Sequence, residues 1–360
     1  MQESEIKWLK EAVHATTIID GSISWQSPSN IALVKYWGKH GNQLPNNPSI
    51  SFTLSESRTE TSIHYSMRKK GEGLLSFKFD SRPNETFGRK IEQFLLKIKS
   101  FFPFLDQLHL KIESRNTFPH SSGIASSASA MSALVMGILD LEQKFSHQPI
   151  DLMKASWFSR LASGSASRSV FPYAALWGKT AVVKESNDHF AIPLQSHVHP
   201  VFAYYYDSIL ITDAAEKTVS SRAGHALMDQ NPYARARYQT ANNNTVELLT
   251  ALQKGDLEQF IQITESEALQ LHALMMSSKP AYLLMKPNSL NLINAIRNFR
   301  QITKIPICFT LDAGPNIHLL YPENEREKVL DYIQNELIHW CQNGKWIDDK
   351  VGEGPSPLQL

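Results

Sequence analysis

Pro119-His120-Ser121-Ser122-Gly123-Ile124-Ala125-Ser126-Ser127 is a segment of this 360-residue chain suited to holding phosphate. A glycine and small hydroxyl residues stand between a strand-like run, Leu108 to Ile112, and a helical one, Ala125 to Leu141. Such a turn aims free backbone N–H groups and the positive end of a helix dipole at one spot, which favours a polyanion. Ser126 and Ser127 add hydroxyl oxygens for a phosphate or a magnesium ion. The segment lacks the Gly-Lys-Ser/Thr ending of a Walker A loop. By residue type alone it also reads as an ordinary tight connection.

Three further segments carry charge in suggestive places. Lys35 and Lys39 flank Tyr36-Trp37-Gly38, either as an anion pocket or as a solvated basic edge. Arg168, in Gly164-Ser165-Ala166-Ser167-Arg168-Ser169, suits a bidentate grip on phosphate or carboxylate, or a surface ion pair. Asp312 opens Asp312-Ala313-Gly314-Pro315-Asn316, where it is a candidate acid–base group or a turn cap. His197-Val198-His199 would put both rings on one face of a strand, but no third ligand for a metal stands near. Cys308 and Cys341 stand apart and read as reduced, partly buried thiols.

The elements that must position these groups alternate between strand and helix. Residues 23 to 85 read as short strands with turns, and Ile91 to Phe102 as an amphipathic helix. Leu152 to Leu161 is a further helix, and Ala181 to Val183 and Phe190 to Pro193 are short strands. Val201 to Thr212 is rich in aromatic and β-branched residues and reads as a strand. Helices follow from about Tyr233 to Gln253 and from Asp256, a cap with Gln259 three residues on. In the second of these, Leu257, Ile261, Thr264, Ala268 and Leu271 mark the inward face. Pro306 to Leu311 and Ile317 to Tyr321 flank the Asp312 turn, and Glu325 to Trp340 is a last helix capped by Asn324. The class is α+β. The division expected is an extension over residues 1–22, an N-terminal domain over 23–190 and a C-terminal domain over 191–360.

Composition bounds the function. Basic and acidic residues leave a formal charge of +1, which argues against nucleic acid as a partner. Met131 to Leu141, the most apolar run, is too short to span a bilayer, and Met1 to Asp20 lacks a signal-peptide core. The expectation is a cytoplasmic protein with no membrane partner.

Ser27-Pro28-Ser29-Asn30-Ile31-Ala32-Leu33-Val34-Lys35-Tyr36-Trp37-Gly38-Lys39 is very similar to the A-P-x-N-I-A-x-x-K-Y-W-G-K motif of mevalonate diphosphate decarboxylases, in the GHMP kinase superfamily. The loop at Pro119 fills every fixed position of that superfamily's P-x-x-x-G-[LI]-x-S-S-[AS] pattern, though His120-Ser121-Ser122 replaces the branch's Thr-Ala-Ala. Leu44-Pro45, Asn47 to Ser51, Gly164 to Ser169 (with Ser167 for the usual cysteine) and Thr310 to Asn316 also match, in order. Weaker echoes occur at Lys217 to His225, where the family has methionine in place of His225, and at Val351 to Pro355.

The resemblance implies a two-domain GHMP kinase fold. Its N-terminal mixed α/β domain would hold a left-handed βαβ-type phosphate-loop unit, and its C-terminal domain would be a ferredoxin-like α/β sandwich. It implies ATP and Mg²⁺, mevalonate 5-diphosphate as small-molecule substrate, and a homodimer. Asp312, Lys35 and Arg168 match the catalytic set. Tyr36, Lys39, Ser165 and Arg168, with Ser221 and Arg222, match substrate-binding positions. The implied reaction is phosphorylation of a tertiary alcohol, then loss of phosphate and CO₂. Within the superfamily, a monophosphate decarboxylase or a 3-kinase is the alternative, and outside catalysis a ligand-binding protein that kept the fold.

Overall fold

The computed structural model describes residues 19–119, 124–215 and 219–359, so His120 to Gly123 and Lys217-Thr218 lie outside the described residues. The first half is strand-rich. β1 (Gly21–Ala32) is followed by a hairpin of β2 (Lys39–His40) and β3 (Leu44–Pro45), and then by the long β4 (Ser49–Met67). β5 (Leu75–Phe79) and β6 (Arg82–Pro83) precede helix α1 (Glu85–Ile98). The helix begins at Glu85 rather than at Ile91 because Asn84 caps it, accepting from Phe87 N.

β7 (Leu108–Asn116), α2 (Ser126–Ser146), α3 (Leu152–Ala162), β8 (Ala174–Trp177) and β9 (Ala191–Pro193) complete this half. β8 is buried at every position, so it shows no alternation for a sequence reading to find. Ala181 to Val183 form a turn instead of a strand, closed by a Thr180–Val183 bridge and by Ser186 Oγ donating to Val183 O.

β4 organises the first sheet. It pairs with β1, β7 and β8, and from Ser57 to Tyr65 every second side chain is buried. One of the inward residues meets a hydroxyl on α2: Thr59 Oγ1 lies 2.6 Å from Ser129 Oγ. Ser27 on β1 reaches Ser132 at 2.5 Å in the same way. Gly137 lets α2 lie close, since a Cβ there would sit 2.7 Å from Ile63 Cδ1. Small residues therefore seat α2 tightly on the sheet, and that seating fixes where its N-terminus points.

The second half begins with β10 (Tyr205–Leu210), shorter than the run from Val201 suggests, because Pro200 opens a 3₁₀ turn through Phe202. His197 and His199 are accordingly not strand neighbours. His197 ends a 3₁₀ turn, and His199 Nδ1 accepts from Val201 N at 3.2 Å. Helices α4 (Ser221–Ala226), α5 (Ala234–Lys254) and α6 (Leu257–Met276) follow. Left-handed Gly255 ends α5 and Asp256 caps α6 by accepting from Gln259 N. Ile261, Thr264, Ala268 and Leu271 are buried along α6, while Leu257 is half-exposed.

α7 (Pro287–Thr303), absent from the sequence reading, starts with proline at its first turn. β11 (Cys308–Thr310) and β12 (Ile317–Pro322) flank the Asp312 turn. The expected helix from Glu325 to Trp340 is three pieces: α8 (Arg326–Tyr332), a π turn (Ile333–Leu337) and a 3₁₀ turn (Ile338–Trp340). Asn324 does not cap it, donating to Glu325 Oε1 instead. β13 (Trp346–Lys350) closes an antiparallel sheet of order β11-β12-β10-β13. β14 (Ser356–Pro357) returns to the first sheet and pairs with β1.

One carboxylate joins the two sheets. The β1–β4 ladder jumps from Pro28↔Arg58 to Asn30↔Thr53, which drops Leu54 to Ser57 out of the pairing. Asp349 on β13 accepts from the stranded N–H groups of Ser55, Glu56 and Ser57, each at 2.8 Å. It is fully buried. Asp349→Ala leaves those donors without their acceptor and should destabilise the fold by about 3–5 kcal/mol, seen as a lower urea midpoint. Asp349→Asn, which keeps one carbonyl oxygen, should lose less.

Candidate active site

Lys35 lies just beyond β1 with only 1% of its side chain exposed, and every polar group it carries is held. Its backbone N–H donates to Glu267 Oε2 at 2.8 Å, and its carbonyl accepts from Asn47 Nδ2 at 3.1 Å. Nζ donates to Asp312 Oδ1 at 2.8 Å. Burial pulls the ammonium below the usual lysine range, and the charges of Asp312 and Glu267 oppose that pull.

Asp312 is partly open to solvent and lines the cleft. Its turn is tied down on both sides. Gly314 N and His272 Nε2 donate to the Asp312 carbonyl, at 2.7 and 3.1 Å. Asn316 Oδ1 accepts from Thr212 N and Asp213 N, and Ser289 Oγ donates to Pro315 O. The Asp312 carboxylate is thus not consumed in capping its own turn; it is directed to Lys35.

Arg168 follows a 3₁₀ turn, Gly164–Ser167, and is buried, which excludes a surface ion pair. Nε and Nη2 donate to Asn30 Oδ1 at 3.4 and 3.2 Å. Asn30 is aimed by its own amide, which donates to Ser169 Oγ (2.7 Å) and Ser165 O (3.2 Å). Among the described residues Nη1 of Arg168 is buried with no partner, a donor suited to an incoming anion. Burial lowers the guanidinium to about 10, opposed by Asp312 and Tyr36, and it stays charged at neutral pH. Ser167 is turned inward, donating to Gly164 O at 2.8 Å.

Tyr36 is wedged 4.7 Å from the Trp177 ring and 4.5 Å from the His225 ring. Burial raises its phenol far above the usual range, so it is a hydroxyl donor. Gly164 makes room for it, since a Cβ there would lie 2.7 Å from the Tyr36 oxygen. His225 is also 4.5 Å from Trp37, and its Nδ1 accepts from Gly38 N at 2.9 Å, which fixes the remaining proton on Nε2. Burial first, then Lys39, push this imidazole down to about 3.

A single open cleft of about 1370 Å³ gathers these groups. That exceeds the roughly 300–1,000 Å³ of one small-molecule pocket and suits two substrates side by side. Lys35, Tyr36, Lys39, Ser165, Arg168, Ser221, Arg222 and Asp312 all line it. So do Ile124, Ala125, Ser126 and Ser127, where the N-terminus of α2 has no side-chain cap among the described residues. Uncapped N–H groups on a 21-residue helix, with half-buried Ser126 beside them, suit triphosphate oxygens and the magnesium ion they carry. Pro119 is exposed. Lys39 is pulled below its usual range by burial, then by Arg222 and Lys97, a cluster of like charges.

Residues 27–189 match the family model for the diphosphomevalonate decarboxylase-like N-terminal domain, and 208–354 the model for the mevalonate 5-diphosphate decarboxylase C-terminal domain. A Debaryomyces hansenii protein named diphosphomevalonate decarboxylase is 30% identical over 354 residues, covering 92% of this chain and 87% of the relative. The chain belongs to the diphosphomevalonate decarboxylase family. The crystal structure of mevalonate diphosphate decarboxylase from Staphylococcus aureus has a TM-score of 0.81 at 25% identity, covering 95% of this chain and 99% of that one. A structure described as MDDEF in complex with MVAPP, AMPPCP and magnesium gives 0.80 at 25% identity, with 95% and 100% covered. The fold is thus the α+β GHMP kinase fold expected of decarboxylases in this family.

Asn30, Glu267, His272 and His225 are placed at the site by the structure but carry no role in the sequence reading. Asn30 was legible, as a fixed position of the Lys35 motif. Glu267 and His272 lie mid-helix and give no local signal.

His225 supplies a pH test. Its folded value lies below the ordinary 6.5, so its contribution to stability is full above pH 6.5 and is lost as pH falls toward 3. His225→Asn keeps an acceptor for Gly38 N–H but cannot titrate. Between pH 6.5 and 4 its urea midpoint should fall less steeply than that of the unaltered protein.

Proposed function

We propose that the protein catalyses ATP-dependent decarboxylation of mevalonate 5-diphosphate to isopentenyl diphosphate, with ADP, phosphate and CO₂ as the other products. The observation that carries this reading is the Lys35–Asp312 pair beside the unpartnered Nη1 of Arg168, in a cleft that also reaches the uncapped start of α2. The family and the ligands of the MDDEF neighbour support the same substrates.

A tertiary alcohol is a hindered nucleophile and a poor leaving group, so it must first become a phosphate. Asp312 accepts the proton of the C3 hydroxyl as that oxygen attacks the γ-phosphorus of ATP, and ADP leaves. Lys35 holds the Asp312 carboxylate in place at the cleft through its ammonium. The 3-phosphate then departs. The electrons of the C1–C2 bond become the new C2–C3 double bond, and C1 leaves as CO₂. Arg168 Nη1 holds the carboxylate or the departing phosphate, while Lys39, Tyr36, Ser165, Ser221 and Arg222 take the 5-diphosphate. Magnesium bound to the ATP phosphates would neutralise charge there, with Ser126 or Ser127 able to hold it. We read the chain as divided into two domains near residue 190 and the protein as cytoplasmic, and family resemblance suggests a homodimer.

Carboxyl-labelled mevalonate 5-diphosphate, the monophosphate and free mevalonate should be assayed side by side for ATP-dependent CO₂ release. Release from the diphosphate alone is expected. Asp312→Asn should cut kcat by roughly 10²–10⁴-fold, and Arg168→Lys should lose most of kcat/KM because the fork geometry is gone. ADP without CO₂ would identify a 3-kinase, release from the monophosphate alone a monophosphate decarboxylase, and no turnover a binding protein.

A further inference from the structure

Two side chains of α6 hold the backbones of both members of the Lys35–Asp312 pair. Glu267, fully buried, accepts the Lys35 backbone N–H at 2.8 Å, and His272, also buried, donates from Nε2 to the Asp312 carbonyl at 3.1 Å. The two are five residues apart on one helix, about 7.5 Å of axial rise. Glu267 is itself locked by α5: Arg237 Nη2 pairs with Oε2, and Asn244 Nδ2 donates to Oε1 at 2.6 Å.

We infer that Glu267 and His272 are positioning residues, and that α6 acts as the rigid gauge setting the distance between the Lys35 ammonium and the Asp312 carboxylate. The inference rests on the catalytic reading of that pair. A buried glutamate that accepts from a backbone N–H 232 residues away, with an arginine and an asparagine fixing its rotamer, is costly to assemble and does more than fill space. The groups facing Lys35 are Asp312, Glu267 and Arg168, so the Glu267 charge also helps Lys35 keep its proton, although Arg237 shares the carboxylate oxygen that accepts from Lys35 N–H.

The test is steady-state CO₂ release across pH with the full chain. Glu267→Gln keeps an acceptor for Lys35 N–H but removes the charge. Its kcat should fall roughly 10- to 10²-fold with both KM values little changed, and its alkaline limb should move to lower pH. His272→Leu should lower kcat comparably without moving that limb, and His272→Gln, whose Nε2 reaches the same place, should restore it. Parent-like kcat and limb in folded Glu267→Gln would overturn the inference, as would loss in His272→Leu that His272→Gln does not rescue. If Glu267→Gln fails to fold, Glu267→Gln with Arg237→Met removes both charges together, and the His272 pair decides alone if that fails too. Full activity of Asp312→Asn would instead sink the catalytic reading.

Discussion

A lysine taken out of water is the constraint around which this structure is arranged. An isolated ammonium at the position of Lys35 would hold its proton less tightly, because desolvation disfavours the charged form. Asp312 opposes that loss, and it comes from the far end of the chain, 277 residues away. The pair brings the opening strand of one sheet and the turn between β11 and β12 of the other to a single point. Asp349 joins the same two sheets a second time, through the stranded N–H groups of β4.

Rigidity at that point comes from polar side chains spent on backbone. Asn30, Asn47, Glu267, His272 and Asn316 each fix a main-chain group or another side chain near the cleft. Long, charged side chains are thereby left free to face the cleft from fixed Cα positions. Such preorganisation lets charge be stabilised without reorienting dipoles during reaction. Arg168 shows the balance: two of its nitrogens donate to Asn30, and the third has no partner among the described residues.

Much of this was legible in the sequence, for reasons specific to each residue. Lys35, Arg168 and Asp312 lie in short segments whose spacing matches a family pattern, and the cleft brings all three together. Capping chemistry found the start of α6, because Asp256 acts on its immediate neighbours. Glu267 was invisible because it acts on a residue 232 positions away and sits in a helix that reads as ordinary. β8 was missed because burial on both faces erases periodicity, and the final helix was overdrawn because periodicity does not distinguish α from π turns. His225 was noticed only as a departure, whereas its place between Tyr36 and Trp37 required coordinates.

The return of the chain to its first sheet has a consequence for how the molecule is made. β1 and β4 emerge from the ribosome well before Asp349 and β14, which satisfy their stranded N–H groups and outer edge. During synthesis the first sheet therefore exists with an open flank and an unsatisfied bulge, a state prone to pairing with other strands. Asp349 and β14 thus act as a closure for the earlier strands, so commitment of the first sheet waits on the segment that carries them.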